Sequence, residues 1–260
     1  MSTVALHAVR AGPDEAPPVV ILHGLLGSSR NWAGLLKTLG KDLACHALDL
    51  RNHGQSPHAA SMDYGELVAD VRAYLDKAGL ERVALVGHSL GGKVAMALAC
   101  ASPERVSHLL VVDIAPKPYP PRWEKEFAAM RALPVAEMKS RAEAEAALEP
   151  AVSDWAFRKF LLTNLGRREG GGFEWTVNLP LLEASLPALF EHPLAAEDHY
   201  AGPTLFLRGE HSRFVRDEDV ARIEAHFPQA TLETIAGAGH NVHFDQPAAF
   251  EKALRRLLEN

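Results

Sequence analysis

Cysteine is almost missing from this chain: Cys45 and Cys100 are the only two in 260 residues. Both lie in apolar runs, which reads as buried free thiols and excludes a fold stapled by disulfides. Concentrated positive charge is also missing. Lys and Arg number 27 against 33 Asp and Glu, the formal net charge is −6, and no long basic run occurs, so nucleic acid is not expected as a partner. No apolar stretch approaches the ~18–20 residues of a membrane span. The opening run Met1-Ser2-Thr3-Val4-Ala5-Leu6-His7 has no basic segment followed by an apolar core, so a cytoplasmic protein with no membrane span and no signal peptide is expected. Two cysteines and dispersed histidines give no metal-ligand spacing, so no metal is expected. Neither a G-x-x-x-x-G-K-S/T phosphate loop nor a G-x-G-x-x-G fingerprint is present, and no cofactor is expected. Internal repeats, heptad runs and low-complexity tails are absent as well.

What is present is a large apolar fraction, 47% of the chain, arranged as short buried runs between helical patterns. Val19-Val20-Ile21-Leu22 is continuously apolar, the mark of a strand covered on both faces. Leu43 to Leu50, the run from Val83, Val106 to Val112, Thr204 to Leu207 and Thr231 to Ile235 read as further strands. Between them, helical spacing predicts helices after Ser28 or Ser29, from Tyr64 to Lys77 behind an Asp63 cap, after Ser89, from Asp217 to His226 and from Pro247 to Leu258. Alternation of this kind implies an α/β fold: a mostly parallel central sheet of about seven or eight strands with helices on both faces. The alternation is interrupted from 117 to 198, where Ala, Glu, Arg, Leu and Trp dominate and prolines cut the run into short helical pieces, with no clear strand. The expected organisation is a core of 1–116 and 199–260 with an inserted helical segment of 117–198.

The most informative stretch is Val83-Ala84-Leu85-Val86-Gly87-His88-Ser89-Leu90-Gly91-Gly92-Lys93. An apolar strand, then G-x-S-x-G, then a small-residue helix place Ser89 at the tip of a sharp strand-to-helix turn. Side chains at 87 and 91 would collide as the backbone folds back, so glycine fits there. The helix aims its first N–H groups at the serine. A serine hydroxyl needs a base beside it. His240, in a glycine-bracketed loop after the last strand, belongs to the same carboxyl edge of the sheet as Ser89, where open α/β sheets place their sites. His243 is the fallback, and His88, pointing away, is read as structural. An acid must orient the base. Asp113, delivered by Leu109-Leu110-Val111-Val112, is favoured. Glu210 and Asp217 stay open as alternatives, because the loop after Thr204–Leu207 is another expected place for the acid and carries Ser212 where an aspartate would stand. Two N–H donors would meet a developing oxyanion, from Leu90 after the nucleophile and from Leu25 in the loop His23-Gly24-Leu25-Leu26-Gly27. Asp49 and Arg51 are read as braces of the polar loop 49–56.

Taken together, His23-Gly24, Asp49 to Ser56, the 87–91 turn and Gly239-His240 resemble the α/β-hydrolase superfamily in order and spacing over nearly the whole chain. Gly87-His88-Ser89-Leu90-Gly91-Gly92-Lys93 with Asp113-Ile114-Ala115-Pro116 and Ser212 is similar to the small bacterial YbfF-type carboxylesterases. That resemblance implies hydrolysis of a small-molecule ester or acyl-thioester substrate through Ser89, His240 and Asp113, with 117–198 as a helical cap. Trp123, Phe127, Trp155, Phe160 and Trp175 are candidates for an acyl pocket, though cap core suits most of them better. Arg122, Arg158, Lys159, Arg167 and Arg168 are candidates to meet a phosphorylated carrier, though a solvated helix face suits them better. C–C bond hydrolysis, or a lyase step in quinone biosynthesis, uses the same residue set on this fold and is the rival chemistry. A non-catalytic ligand-binding protein is the rival class.

Overall fold

A computed structural model of the chain describes residues 2–259. The chain passes through β1 (Ala8–Ala11), β2 (Pro18–Leu22), α1 (Ala33–Leu39), β3 (Ala44–Leu48), α2 (Tyr64–Lys77), β4 (Val83–His88), α3 (Leu90–Ala101) and β5 (Val106–Val112). A long segment follows with α4 (Glu124–Ala132), α5 (Arg141–Leu148), α6 (Trp155–Leu162), β6 (Leu165–Arg167), β7 (Phe173–Trp175) and α7 (Leu179–Phe190). The chain then returns through β8 (Thr204–Gly209), α8 (Val220–His226), β9 (Ala230–Ile235), α9 (Val242–Asp245) and α10 (Pro247–Leu258). Seven strands form the main sheet in the order β1-β3-β2-β4-β5-β8-β9. Among the described residues of this sheet, β1–β3 is antiparallel and the other pairings are parallel.

The apolar runs are strands because both faces are covered and successive side chains serve opposite cores. Val20, Leu22, Leu85, Leu109 and Val111 pack on the side of α2 and α3. Val19, Ile21, Val86, Leu110 and Val112 pack on the side of α1 and α10. Asp63 starts α2 as expected, its carboxylate accepting the Glu66 N–H at 2.8 Å while Glu66 accepts the Asp63 N–H at 3.2 Å, a reciprocal cap.

Three local expectations change. The segment 117–198 is not wholly helical: Gly170, Gly171 and Gly172, all at positive φ, turn a hairpin whose strands β6 and β7 are three residues each. Strands that short carry no periodicity to read. Pro187 lies inside α7 rather than ending it. Its missing N–H removes one helical bond from a helix whose Leu182, Leu186 and Leu189 are buried. The helix expected from Asp217 begins as a 3-10 turn, Asp217–Asp219, and becomes α-helical only at Val220. Phe127, Met130, Leu148, Leu161 and Phe173 from the inserted segment pack into the same core as α2 and α3.

A buried lysine ties this segment to α3. Lys93, one turn into α3, is buried. Its Nζ donates to the carbonyls of Leu189 (3.3 Å), Phe190 (3.1 Å) and Glu191 at the end of α7. Those carbonyls have no helical donor of their own, and all three ammonium protons are committed to them. Burial draws the Lys93 pKa down to about 8, so the ammonium is charged at pH 7.

Buried neutral histidines brace the loops at the carboxyl edge of the sheet. His23 Nδ1 donates to the Gly24 carbonyl at 2.8 Å, and its Nε2 accepts the Leu50 N–H at 2.9 Å. His53 Nδ1 donates to the Arg51 carbonyl at 2.9 Å, and its Nε2 accepts the Leu26 N–H at 3.2 Å. His243 stacks on Trp32 with ring centroids 4.0 Å apart. Burial lowers the pKa of all three, to about 3 for His53 and His243.

Two outcomes are expected. Lys93→Met removes the charged donor from three carbonyls and leaves them the Tyr64 hydroxyl and the Tyr119 N–H, at roughly 2–3 kcal/mol. Calorimetry should show Tm lower by roughly 5–10 °C, and an unchanged Tm would remove the pinning role. For pH, the folded state keeps His53 and His243 neutral down to about pH 3, while the unfolded chain binds protons below about 6.5. Stability from these groups is therefore complete above pH 6.5 and lost as pH falls towards 3. At pH 5 the loss is about 2 kcal/mol per histidine. Urea midpoints should drop between pH 7 and pH 5, and a flat profile over that interval would contradict neutral burial.

Candidate active site

The site begins with a backbone that leaves no room. A Cβ on Gly87 would stand 2.2 Å from the Gly91 carbonyl oxygen, and one on Gly91 would stand 2.6 Å from the carbonyls of Leu22 and His23. Glycine at both positions lets β4 turn directly into α3, with Ser89 at the apex. Ser89 has φ 51° and ψ −115°, a conformation costing about 1–3 kcal/mol for a non-glycine residue. Its N–H donates to Val112 O at 3.0 Å and its carbonyl accepts the Lys93 N–H at 3.1 Å, which holds the turn between the end of β5 and the first turn of α3.

Asp113 follows β5 directly and is fully buried. It too has positive φ, 51°, which Asp tolerates better than most residues. Both carboxylate oxygens are engaged. Oδ1 accepts the Gly209 N–H at 3.2 Å, and Oδ2 accepts the Ser212 hydroxyl and lies 2.7 Å from His240 Nδ1. A carboxylate has no proton to give, so His240 Nδ1 carries the hydrogen and Nε2 is left as the basic nitrogen. The Phe214 ring stacks on His240 with centroids 3.9 Å apart and 19° between planes. His88 lies on the other side, its Nε2 donating to the His240 carbonyl at 2.9 Å. The imidazole is therefore fixed by a carboxylate, an aromatic face and a backbone anchor.

The alternative acids are engaged elsewhere. Glu210 accepts the Gly237 N–H at 2.8 Å in the turn after β9, and Asp217 pairs with Arg208 at 2.7 Å. His243, the fallback base, is the buried partner of Trp32. Asp49 accepts N–H groups of Ser29 (2.6 Å) and Gln55 (2.8 Å), and Arg51 meets Asp70 at 2.6 Å, the bracing expected of them.

Loop 23–27 leans on the elbow: a Cβ on Gly24 would lie 3.3 Å from Ser89 Cβ. Among the described residues, the Leu25 and Leu90 N–H groups donate to no protein acceptor. Both residues line one cleft with Ser89 and His240, about 540 Å³ including its open mouth. Ile114, Trp123, Leu189, Phe190 and Phe214 give it apolar walls. Among the five aromatic candidates of segment 117–198, Trp123 reaches this cleft, Phe127 is fully buried and Trp155 is 62% exposed. Among the five cations, Arg122 reaches it, with its guanidinium over the Phe214 ring. Arg158 is not on a solvated face: it is buried and donates to the carbonyls of Val152 and Ser153.

Sequence reasoning passed over Lys93, Phe214 and the bond from Ser212 to Asp113. Lys93 was detectable as one lysine in an otherwise small and apolar helix, which demands a buried partner. Phe214 had no signal, since ring stacking depends on how two distant loops meet.

The chain matches the alpha/beta hydrolase family over residues 19–253. It is similar to the sn-1-specific diacylglycerol lipase ABHD11 of Mus musculus, with 39% identity over 255 residues, 95% of this chain and 82% of that protein. It is also similar to esterase YbfF of Escherichia coli (strain K12), with 35% identity over 245 residues, 94% of this chain and 93% of that protein, so the YbfF-type resemblance holds. A solved marine microorganism esterase superposes with TM-score 0.93 at 35% identity, covering 97% of this chain and 99% of that one. A match to the family over most of its length, with an elbow serine and a carboxylate-held histidine lining one cleft, places this chain in the alpha/beta hydrolase family.

Proposed function

We propose that the protein hydrolyses carboxylic esters or thioesters of small acyl groups, through an acyl-enzyme formed on Ser89. The observation that carries this reading is the 2.7 Å bond between His240 Nδ1 and Asp113, in a cleft shared with the strained elbow serine. Ser89 Oγ attacks the carbonyl carbon as His240 Nε2 takes its proton. Asp113 holds the tautomer and stabilises the imidazolium. The Leu25 and Leu90 N–H groups receive the oxyanion. Collapse of the tetrahedral intermediate expels the alcohol or thiol with the proton from His240, and water repeats the sequence to free the acid. The apolar walls suit an acyl chain, and the esterase and lipase relatives support ester chemistry over C–C cleavage. Segment 117–198 acts as a cap over a core of 1–116 and 199–260, since Trp123, Leu189 and Phe190 close the cleft from that side.

Ser89→Ala should lower kcat/KM for p-nitrophenyl butyrate by about 10⁴-fold or more with the fold intact. Near wild-type turnover by the purified variant would end the proposal. Asp113→Asn should lose roughly 10³–10⁴-fold in kcat, while Glu210→Gln stays within about threefold. The reverse ranking would move the acid to Glu210. A panel of p-nitrophenyl esters and acyl-coenzyme A thioesters of increasing chain length separates ester from thioester preference.

A further inference from the structure

The inserted segment does more at this site than close it. Residues Gly24 to Gly27 form a turn closed by the Gly27 N–H on the Gly24 carbonyl at 2.9 Å, with Leu26 in its third position at φ 58°. That position in such a turn normally falls to glycine. Leu26 is wholly buried, and its backbone is gripped at both ends. Its N–H donates to His53 Nε2 at 3.2 Å, and its carbonyl accepts Asn164 Nδ2 at 2.8 Å. His53 belongs to the neighbouring loop, whereas Asn164 comes from the link between α6 and β6.

Asn164 is itself buried and locked. Its N–H reaches the Leu161 carbonyl at 3.2 Å, and its carbonyl accepts both the Thr176 N–H (2.8 Å) and the Thr176 hydroxyl (3.0 Å). Nδ2 also donates to the Leu161 carbonyl at 3.2 Å. Two carbonyl partners require the NH₂ end of the amide to face the turn. The residue before Leu26 is Leu25, the oxyanion donor in the reading above.

We propose that Asn164 is a positioning residue for the oxyanion hole: it fixes the Leu26 carbonyl, and through it the direction of the Leu25 N–H. The proposal rests on the acyl-enzyme reading. It makes the inserted segment part of the rate-determining geometry, because displacing the α6–β6 link releases a turn that Leu26 does not favour by itself.

The test uses the full chain with Asn164→Leu, which keeps the side-chain shape and removes both donors, and Asn164→Ser, which keeps one donor on a shorter arm. With p-nitrophenyl butyrate, kcat should fall ~10- to 100-fold for Asn164→Leu and less for Asn164→Ser. That is below the ~10²–10³ of deleting a donor outright. KM should stay within about threefold, as for an interaction made in the transition state alone. The inhibition constant of an alkylboronic acid, whose tetrahedral adduct places an oxygen in the hole, should rise in step with the loss of kcat. If the leucine variant does not fold, Asn164→Ser carries the same comparison. Unchanged kcat, or a loss carried by KM with an unaltered boronate constant, overturns the proposal. Labelling of wild type at Ser89 by a fluorophosphonate is run in parallel. Its failure would remove the acyl-enzyme reading itself, and successful labelling with insensitive Asn164 variants would remove only the positioning role.

Discussion

Everything at this site depends on main chains touching where side chains would ordinarily keep them apart. Gly87 lies against the backbone of α3, and Gly91 lies against the last carbonyls of β2. The first turn of α3 therefore sits directly over the sheet, and its N-terminus points at the loop that follows β2. Any β-carbon at these positions would push the helix outward and separate the serine from both neighbouring loops. Four residues in the loops on this edge have a positive φ, which L-amino acids disfavour: Leu26 at 58°, Asn52 at 65°, Ser89 at 51° and Asp113 at 51°. Each costs roughly 1–3 kcal/mol, and each is held by hydrogen bonds to the sheet or its flanking loops. A large, doubly covered sheet supplies the rigidity that sustains such strain.

Much of this was legible in the sequence because it is written in local pattern. Apolar runs marked the strands, Asp63 marked the start of α2, and glycines two residues either side of Ser89 marked the elbow. Asp113 was readable for the same reason, as a carboxylate at the end of four apolar residues. What escaped depends on chain segments that meet only once the fold has packed, 138 residues apart for Asn164 and Leu26. Asn164 and Phe214 look ordinary where they stand, and only the packed fold brings one to Leu26 and the other to His240. The β6–β7 hairpin was hidden by its brevity. Arg158 shows a further limit: composition suggests a solvated charge, but a cluster of unpaired carbonyls makes burial the better solution for it.

The histidines separate into two kinds by surroundings alone. His240, partly exposed, has its Nδ1 held against the Asp113 carboxylate. His23, His53, His88 and His243 are buried, and desolvation lowers the proton affinity of each. Neutral imidazole serves there as a rigid two-ended connector, donating at one nitrogen and accepting at the other in His23 and His53. A lysine or a carboxylate could not do that without burying charge.

The core on the α2–α3 side continues without interruption into the inserted segment, through Phe127, Met130, Leu161 and Phe173. Segment 117–198 is thus not a detachable module. Changing it changes the packing beneath α3, so substitutions in this segment and the stability of the sheet act through the same side chains. Transplanting this segment between relatives would have to carry its inward-facing residues, and their partners on α2 and α3, as a single unit.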